Sequence, residues 1–434
     1  MSSQNNLIIN KSKPLIGNLK IPGDKSISHR SIILGALSNG ELTISNFLTS
    51  DDCNATINAM RELGADIFIN ESQVHIKGKG LFSLKKPKQM LDAGNSGTLM
   101  RLLTGVLAVQ DFDSVITGDD SLKKRPMGRI IKPLTLCGAK IKANENKAPL
   151  SIYGTSSLNA IKYNQDVASA QVKSCLILAA LHITGQSTFH EDIRTRDHTE
   201  NLLEHFSYEI ERDADSFSLK GRQKLIAKDI LIGSDISSAA FFIVASLIVE
   251  GSCIEMHKVN MNKFRTGLVT VLKNMGADIE ISNVKEVSNE LIGNIKVRHS
   301  KLKSVEIKGD IIPSLIDELP ILFIACAAAS GTSKISGIGE LRYKESDRIM
   351  AMENGLRAIG IDVQSSEDSI EITGGKITGG KVNSYDDHRI AMSFAVAGLV
   401  SQHSLTILET QNITTSFPTF VTILRELGVE VFEV

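Results

Sequence analysis

One pattern recurs six times along this chain of 434 residues, and the repetition restricts the fold more than any other feature. A short, wholly apolar helical run leads through a turn into an alternating strand. It reads SIILGALSNGELTI (31–44), LMRLLTGVLAVQDFDSVI (99–116), VKSCLILAALHITGQSTF (172–189), SAAFFIVASLIVEGSCIEM (238–256), LPILFIACAAASGTSKI (319–335) and RIAMSFAVAGLVSQHSLTI (389–407). A helix that is apolar on every side must be buried on every side. Gly40, Gly185, Gly251 and Gly331 are expected to cap the C-termini of these helices.

A second pattern alternates with the first: an amphipathic helix, a glycine, then a strand. Gly64, Gly138, Gly276, Gly360 and Gly428 mark five copies, and HFSYEIE (205–211) is a sixth with Ser207 in the glycine place. The spacing is 68 to 84 residues, so each unit holds strands and two helices. A unit of that size cannot hide an all-apolar helix alone. The economical solution packs the six buried helices of this α/β chain in two sets of three.

Bulk properties limit the function classes. Lys and Arg number 48, Asp and Glu 49, for a net charge of −1. A polyanionic surface, nucleic acid or membrane, is not favoured as a bulk partner, so any cationic site must be a local concentration of charge. Cys53, Cys137, Cys175, Cys253 and Cys326 form no CxxC pair, which reads as reduced thiols in a cytoplasmic protein rather than a zinc ribbon. The first ten residues carry no signal-peptide pattern. The longest apolar runs, 237–249 and 319–329, fall short of the roughly 18–20 residues that span a bilayer.

Polar loops precede the buried helices: GDKSISHR (23–30), DAGNSGTLMR (92–101), ASAQVK (168–173), GSDISSA (233–239), IDELP (316–320) and YDDHR (385–389). Helix N-termini present free N–H groups and a positive dipole end, which favour anions. Several such ends beside Lys and Arg would hold more than one phosphate or carboxylate. Lys25 and Ser26 are expected to open their helix, with Arg30 one turn on. The glycine lattice of a nucleotide-binding P-loop is absent. Asn95 and Gly97 form a tight turn, followed by Arg101. Of the run Lys123, Lys124 and Arg125, Arg125 is the candidate. Were 344–348 helical, Lys344 and Arg348 would share a face, costing stability unless an anion or Glu345 and Asp347 neutralise them. His388, beside Arg389, reads as structural.

Taken in order, PGDKSISHR, DAGNSGTLMRLLTG, LKKRPMGR, SAQVKS, TRDHTE, IDELP, RYKESDR, DDHRIAM and SFPTF resemble the motif set of the EPSP synthase family of enolpyruvyl transferases, over about residues 14–420. The resemblance implies an inside-out α/β barrel of two globular domains, each of three repeated βαβαββ units, whose N-terminal strand joins the C-terminal half. Domains are expected at 24–236 and at 1–23 plus 237–434, with two hinge crossings that permit closure. It implies transfer of the enolpyruvyl group of phosphoenolpyruvate to the 5-hydroxyl of shikimate 3-phosphate, with no metal or organic cofactor. These two small molecules are then the only partners expected, with a monomer as the default.

Carried over by motif, Lys25, Ser26, Arg30, Ser169, Ala170, Gln171, Arg196, Asp317 and Lys344 match the shikimate 3-phosphate positions. Lys25, Asn95, Gly97, Arg125, Gln171, Arg348 and Arg389 match the phosphoenolpyruvate region, with Arg101 or its neighbours. Asp317 and Glu345 match the acid–base carboxylates, with Lys25 as a third proton carrier; either carboxylate could take either label. Three positions depart from the common pattern: Ala170 for serine, Leu102 for proline, and Thr415-Ser416 for Lys-Thr ahead of Phe417-Pro418. They resemble the less common, often glyphosate-tolerant branch, yet Gly97 is retained. Two other readings stand beside this one. A UDP-N-acetylglucosamine enolpyruvyl transferase resembles Lys-Asn where this chain has Lys25-Ser26 and bears a loop cysteine that 114–130 lacks. A non-catalytic barrel would not need the charged loops.

Overall fold

In the computed structural model, which describes residues 5–155 and 157–434, the two alternating patterns become twelve α-helices among the described residues. They are α1 (Lys25–Leu37), α2 (Asp51–Glu62), α3 (Gly97–Leu107), α4 (Gly128–Leu136), α5 (Ala170–Ala180), α6 (His198–His205), α7 (Ile236–Ile248), α8 (Gly267–Asn274), α9 (Leu319–Ala328), α10 (Arg348–Ala358), α11 (His388–Gly398) and α12 (Phe420–Glu426). The odd-numbered helices are the apolar runs and are buried over nearly their whole length. The even-numbered ones keep an exposed face. None is long and apolar enough to cross a membrane.

Each pair of helices serves one of six four-stranded sheets among the described residues. The complete pattern is clearest where strand Leu91–Asp92, α3, strand Ser114–Thr117, α4 and the hairpin Lys140–Asn144/Lys147–Tyr153 follow in order. Its first two strands pair in parallel and the rest antiparallel, which is the expected βαβαββ unit. Two sheets borrow strands from the start of the chain. Strand Leu7–Ile9 lies between Leu405–Leu408 and Val431–Glu433, and strand Ile16–Leu19 pairs in parallel with Cys253–Asn260. The expectation of one N-terminal strand in the C-terminal half thus becomes two.

The chain divides into two units. The N-terminal unit comprises Gly23–Ile232 with Glu286–Glu290; the C-terminal unit takes the chain up to Pro22, Gly233–Lys285 and Leu291–Val434. The sequence reading puts the second division at 236/237, where α7 starts. Residues 233–235 side with the C-terminal unit because Ser234 bridges to Val259 and the Asp235 N–H donates to the Pro22 carbonyl. The excursion at 286–290 makes four changes of unit rather than two. In the N-terminal unit α3 packs on both α1 and α5; in the C-terminal unit α7, α9 and α11 pack on one another.

The two sets of glycines do different work. Gly64, Gly138, Gly276, Gly360 and Gly428 follow the C-caps of α2, α4, α8, α10 and α12 with φ between 80° and 105°, where a residue without Cβ is favoured. Ser207 holds the sixth such position with φ 61° after α6. Gly40, Gly185, Gly251 and Gly331 are not helix caps as expected. The caps are Ser38, Leu181, Val249 and Ala329, and the glycines lie two to four residues on with positive φ, Gly40 as the second residue of the strand Asn39–Ser45 and the others in the turns into their strands.

The close approach of α3 to α5 rests on Gly105, where a Cβ would overlap the Cys175 carbonyl oxygen. Because backbone blocks that space, Gly105→Ala is expected to destabilise the chain by about 1–3 kcal/mol, read as a lower urea midpoint at unchanged m.

Candidate active site

In the N-terminal unit the charged loops end in capped helices whose first turns adjoin. Asp24 caps α1 by accepting from the Ile27 N–H, Ser96 caps α3 through Leu99, and Ser169 caps α5 through Val172. These caps use one free N–H of each helix, so anion binding would fall mainly to side chains. Lys25, the first residue of α1, sits 2.5 Å from Asp52. Ser26 follows, and its hydroxyl lies 3.4 Å from Arg196 Nη1. Arg30, one turn on, is 2% exposed. It donates from Nε to Thr199, from Nη2 to Ser174 and from Nη1 to the Ser26 carbonyl.

A neighbouring group in the same unit lies over α3. Asn95 accepts from Arg125 Nη2 at 3.0 Å and donates to Asp119. Arg101 Nη1 donates to Gln171 Oε1 at 2.5 Å, and Gln171 Nε2 donates to Thr98. Gly97 faces two guanidiniums, since an added Cβ would lie 3.0 Å from Nη1 of both Arg101 and Arg125. The first turn of α5 therefore meets α3 through Gln171, while its second turn meets α1 through Ser174. Ala170, in that first turn, is 8% exposed.

The C-terminal unit gathers the other candidates. Lys344 Nζ is 3.0 Å from Asp317 Oδ1, and Arg389 Nη1 donates to the Asp317 carbonyl at 2.8 Å. Arg389 is also 3.5 Å from Glu318, which is 2% exposed and accepts from Ser237 in α7. Arg348 is 1% exposed between two carboxylates: Nε and Nη2 bond Asp387, and Nη2 bonds Glu345 at 2.7 Å. Burial pulls the Arg348 guanidinium down, but Asp387 and Glu345 outweigh it and hold it above its usual value. Burial likewise pushes Asp387 up, and Arg348 reverses this, leaving its carboxyl below the usual range. Asp387 also caps α11 by accepting from the Arg389 N–H.

The stacked Lys344/Arg348 face is corrected. Residues Gly339–Tyr343 form a 3-10 turn, Lys344 is extended, and α10 begins only at Arg348. Asp347, read as a neutralising charge, is the N-cap: it accepts from the Met350 N–H and pairs with Arg342. Capping overrides the charge periodicity. Sequence reasoning missed Asp52, Glu318, Ser174 and Thr199. Ser174, Thr199 and Glu318 lie inside the motifs SAQVKS, TRDHTE and IDELP without having been singled out, and for Asp52 the Ser-Asp-Asp run at 50–52 signals no more than a helix start.

Comparison with known proteins gives one answer. The family model described as EPSP synthase (3-phosphoshikimate 1-carboxyvinyltransferase) matches residues 9–424. A 3-phosphoshikimate 1-carboxyvinyltransferase of Coxiella burnetii (strain CbuK_Q154) is 48% identical over 422 residues, covering 97% of this chain and 96% of the relative. One of Legionella pneumophila subsp. pneumophila is 46% identical over 426 residues, covering 97% and 98%. The solved EPSP synthase of Acinetobacter baumannii superposes with a TM-score of 0.88 at 44% identity, covering 99% of this chain and all of that one.

The Asp387 geometry has a pH consequence. Its folded-state carboxyl lies below the ordinary value of 3.8, so its contribution is complete above that value and is lost as pH falls through the folded one. Asp387→Asn is expected to cost about 3–5 kcal/mol at pH 7, because it strands a buried guanidinium. The difference from the parent chain should begin to shrink as pH falls below the ordinary value of 3.8 and go on shrinking through the lower folded-state value. Chemical denaturation of both proteins across pH 3–7 checks this.

Proposed function

The chain belongs to the EPSP synthase family, and we propose that it moves the enolpyruvyl group of phosphoenolpyruvate to the 5-hydroxyl of shikimate 3-phosphate using the residues described above. The observation that carries the residue assignment is the clustering. Asp317, Lys344, Glu345, Arg348 and Arg389, scattered over more than seventy residues of sequence, are tied together by bonds of 2.7–3.0 Å. In the N-terminal unit Arg30 and Arg196 both reach Ser26, Lys25 pairs with Asp52, Gln171 ties Arg101 to Thr98, and Arg125 bonds Asn95.

Each substrate brings a phosphate and a carboxylate, which these cations suit. The acceptor reading rests on Lys25, Ser26, Arg30, Ser169, Ala170, Gln171 and Arg196, with Asp317 and Lys344 toward its ring. The donor reading rests on Lys25, Asn95, Gly97, Arg125, Gln171, Arg348 and Arg389. Alanine at 170 removes one hydroxyl from the acceptor set, leaving Ser169 and Arg196 to supply that side. Arg30, buried and bonded to Thr199 and Ser174, shapes this wall as well as offering charge.

The attacking hydroxyl is a poor nucleophile and needs a base; Asp317, held by Lys344, takes its proton. The methylene carbon of phosphoenolpyruvate needs a proton, which Glu345 delivers. The products of these transfers combine as a tetrahedral ketal phosphate; Glu345 then takes a proton back from the new methyl group while the proton held by Asp317 passes to the departing phosphate. Glu345 is bonded to Arg348, one of the donor cations. An arriving anion competes for that guanidinium and releases the carboxylate from it, which couples donor binding to proton delivery.

Phosphate release from shikimate 3-phosphate and phosphoenolpyruvate, assayed without added metal, tests the reading. Lys25→Ala, Asp317→Ala and Glu345→Ala are each expected to lose at least ~10²-fold in turnover. Near-normal turnover in the Asp317 or Glu345 variant removes that residue from the chemistry. Gly97→Ala, whose Cβ presses on Arg101 and Arg125, is expected to weaken inhibition by glyphosate; an alanine variant as sensitive as the parent refutes the steric account.

A further inference from the structure

The N-terminal unit contains a charged trio that the reaction does not use. Lys173 of α5 is 1% exposed, and its Nζ lies 3.0 Å from Glu191 Oε2, 2.7 Å from Glu200 Oε1 and 3.3 Å from the Thr195 carbonyl. Both carboxylates are 2% exposed. Withdrawing three charges from water is costly, and well-packed apolar side chains of similar volume are generally as stable or more so. Stability alone therefore does not explain the trio, and its geometry suggests what does.

Glu191 Oε1 accepts from both the Thr195 N–H, at 3.2 Å, and the Thr195 hydroxyl, at 2.7 Å. With Lys173 on the carbonyl, all three polar groups of Thr195 are bound by one ion pair. The next residue is Arg196, whose guanidinium reaches the Ser26 hydroxyl. On its other side Lys173 stands one turn beyond Ser169, Ala170 and Gln171. Adjacent Ser174 accepts from Arg30 and Thr199. Glu200, in the first turn of α6, holds the ammonium from below. Its Oε2 is buried without a hydrogen-bond partner, and burial pushes its carboxyl up against the pull of Lys173. The Lys173–Glu191 arm, with every contact made, is the stiff member.

We propose that Lys173, Glu191 and Glu200 are positioning residues that hold Arg196 at a fixed reach from the first turn of α5, and so set the affinity for the phosphate of the acceptor without touching it. This rests on the assignment of that face to shikimate 3-phosphate. An apolar replacement would leave the helices packed but free the loop at 191–196, and a misplacement of about 1 Å can cost up to ~10²-fold in a bound geometry.

The test uses the whole chain and varies each substrate at saturating levels of the other. Lys173→Met is expected to raise the KM for shikimate 3-phosphate about 10–100-fold, with kcat and the KM for phosphoenolpyruvate within about threefold of the parent. Because this variant strands two buried carboxylates and can misfold, Lys173→Met/Glu191→Gln/Glu200→Gln is measured beside it. Removal of all three charges is expected to restore thermal stability but not the acceptor KM. If the triple variant recovers both, the trio is structural only and the proposal falls. It falls equally if both KM values rise in proportion in the folded variants, or if neither changes. Absence of phosphate release by the parent chain would instead remove the acceptor assignment itself.

Discussion

Burial of helices that have no polar face governs the rest of this structure. α9, LPILFIACAA, cannot meet water on any side, and one βαβαββ unit offers a single sheet to cover it. Grouping in threes is the answer, and it has a geometric by-product. The N-terminal ends of grouped helices meet, in the bond between Arg101 and Gln171 in one unit and in that between Ser237 and Glu318 in the other. Their first turns are brought together, and with them the loops that carry the cations. The core and the site are two ends of one packing decision.

The cations so gathered are not left to repel one another. Lys25 has Asp52, Lys344 has Asp317, Arg348 has Glu345 and Asp387, and Arg389 has Glu318. Each of these pairs lies within one unit. The arrangement divides the carboxylates into two kinds. Asp387, at 0% exposure and bonded twice to Arg348, is fixed. Glu345, at 20%, can be displaced, and it is the carboxylate assigned to the chemistry.

Most of the fold was legible because it is written in repeats. The glycines after the amphipathic helices announced their left-handed turns, and even Ser207 could be found from spacing alone. The glycines after the apolar helices misled by two to four residues, because each belongs to a strand or the turn entering it rather than to the helix end. Where a candidate residue opens a helix, as Lys25 and Gly97 do, the helix start was legible too. At 344–348 the sequence left the helix start open, and the Asp347 cap sets it at Arg348. The carboxylate partners Asp52 and Glu318, and the pairing of Lys173 with Glu191 and Glu200, arise from contacts between distant segments. No local pattern records such contacts.

The strand Leu7–Ile9 is hydrogen-bonded on one side to Leu405–Leu408 and on the other to Val431–Glu433. On a ribosome it emerges well before either neighbour. Residues 23–232, by contrast, hold almost all of their unit's partners within one stretch and can complete their three sheets while synthesis continues. The early strand must wait, unpaired, through some four hundred residues. Its brevity, three residues with polar Asn5, Asn6 and Asn10 on either side, limits the exposed edge it offers to other chains in the meantime.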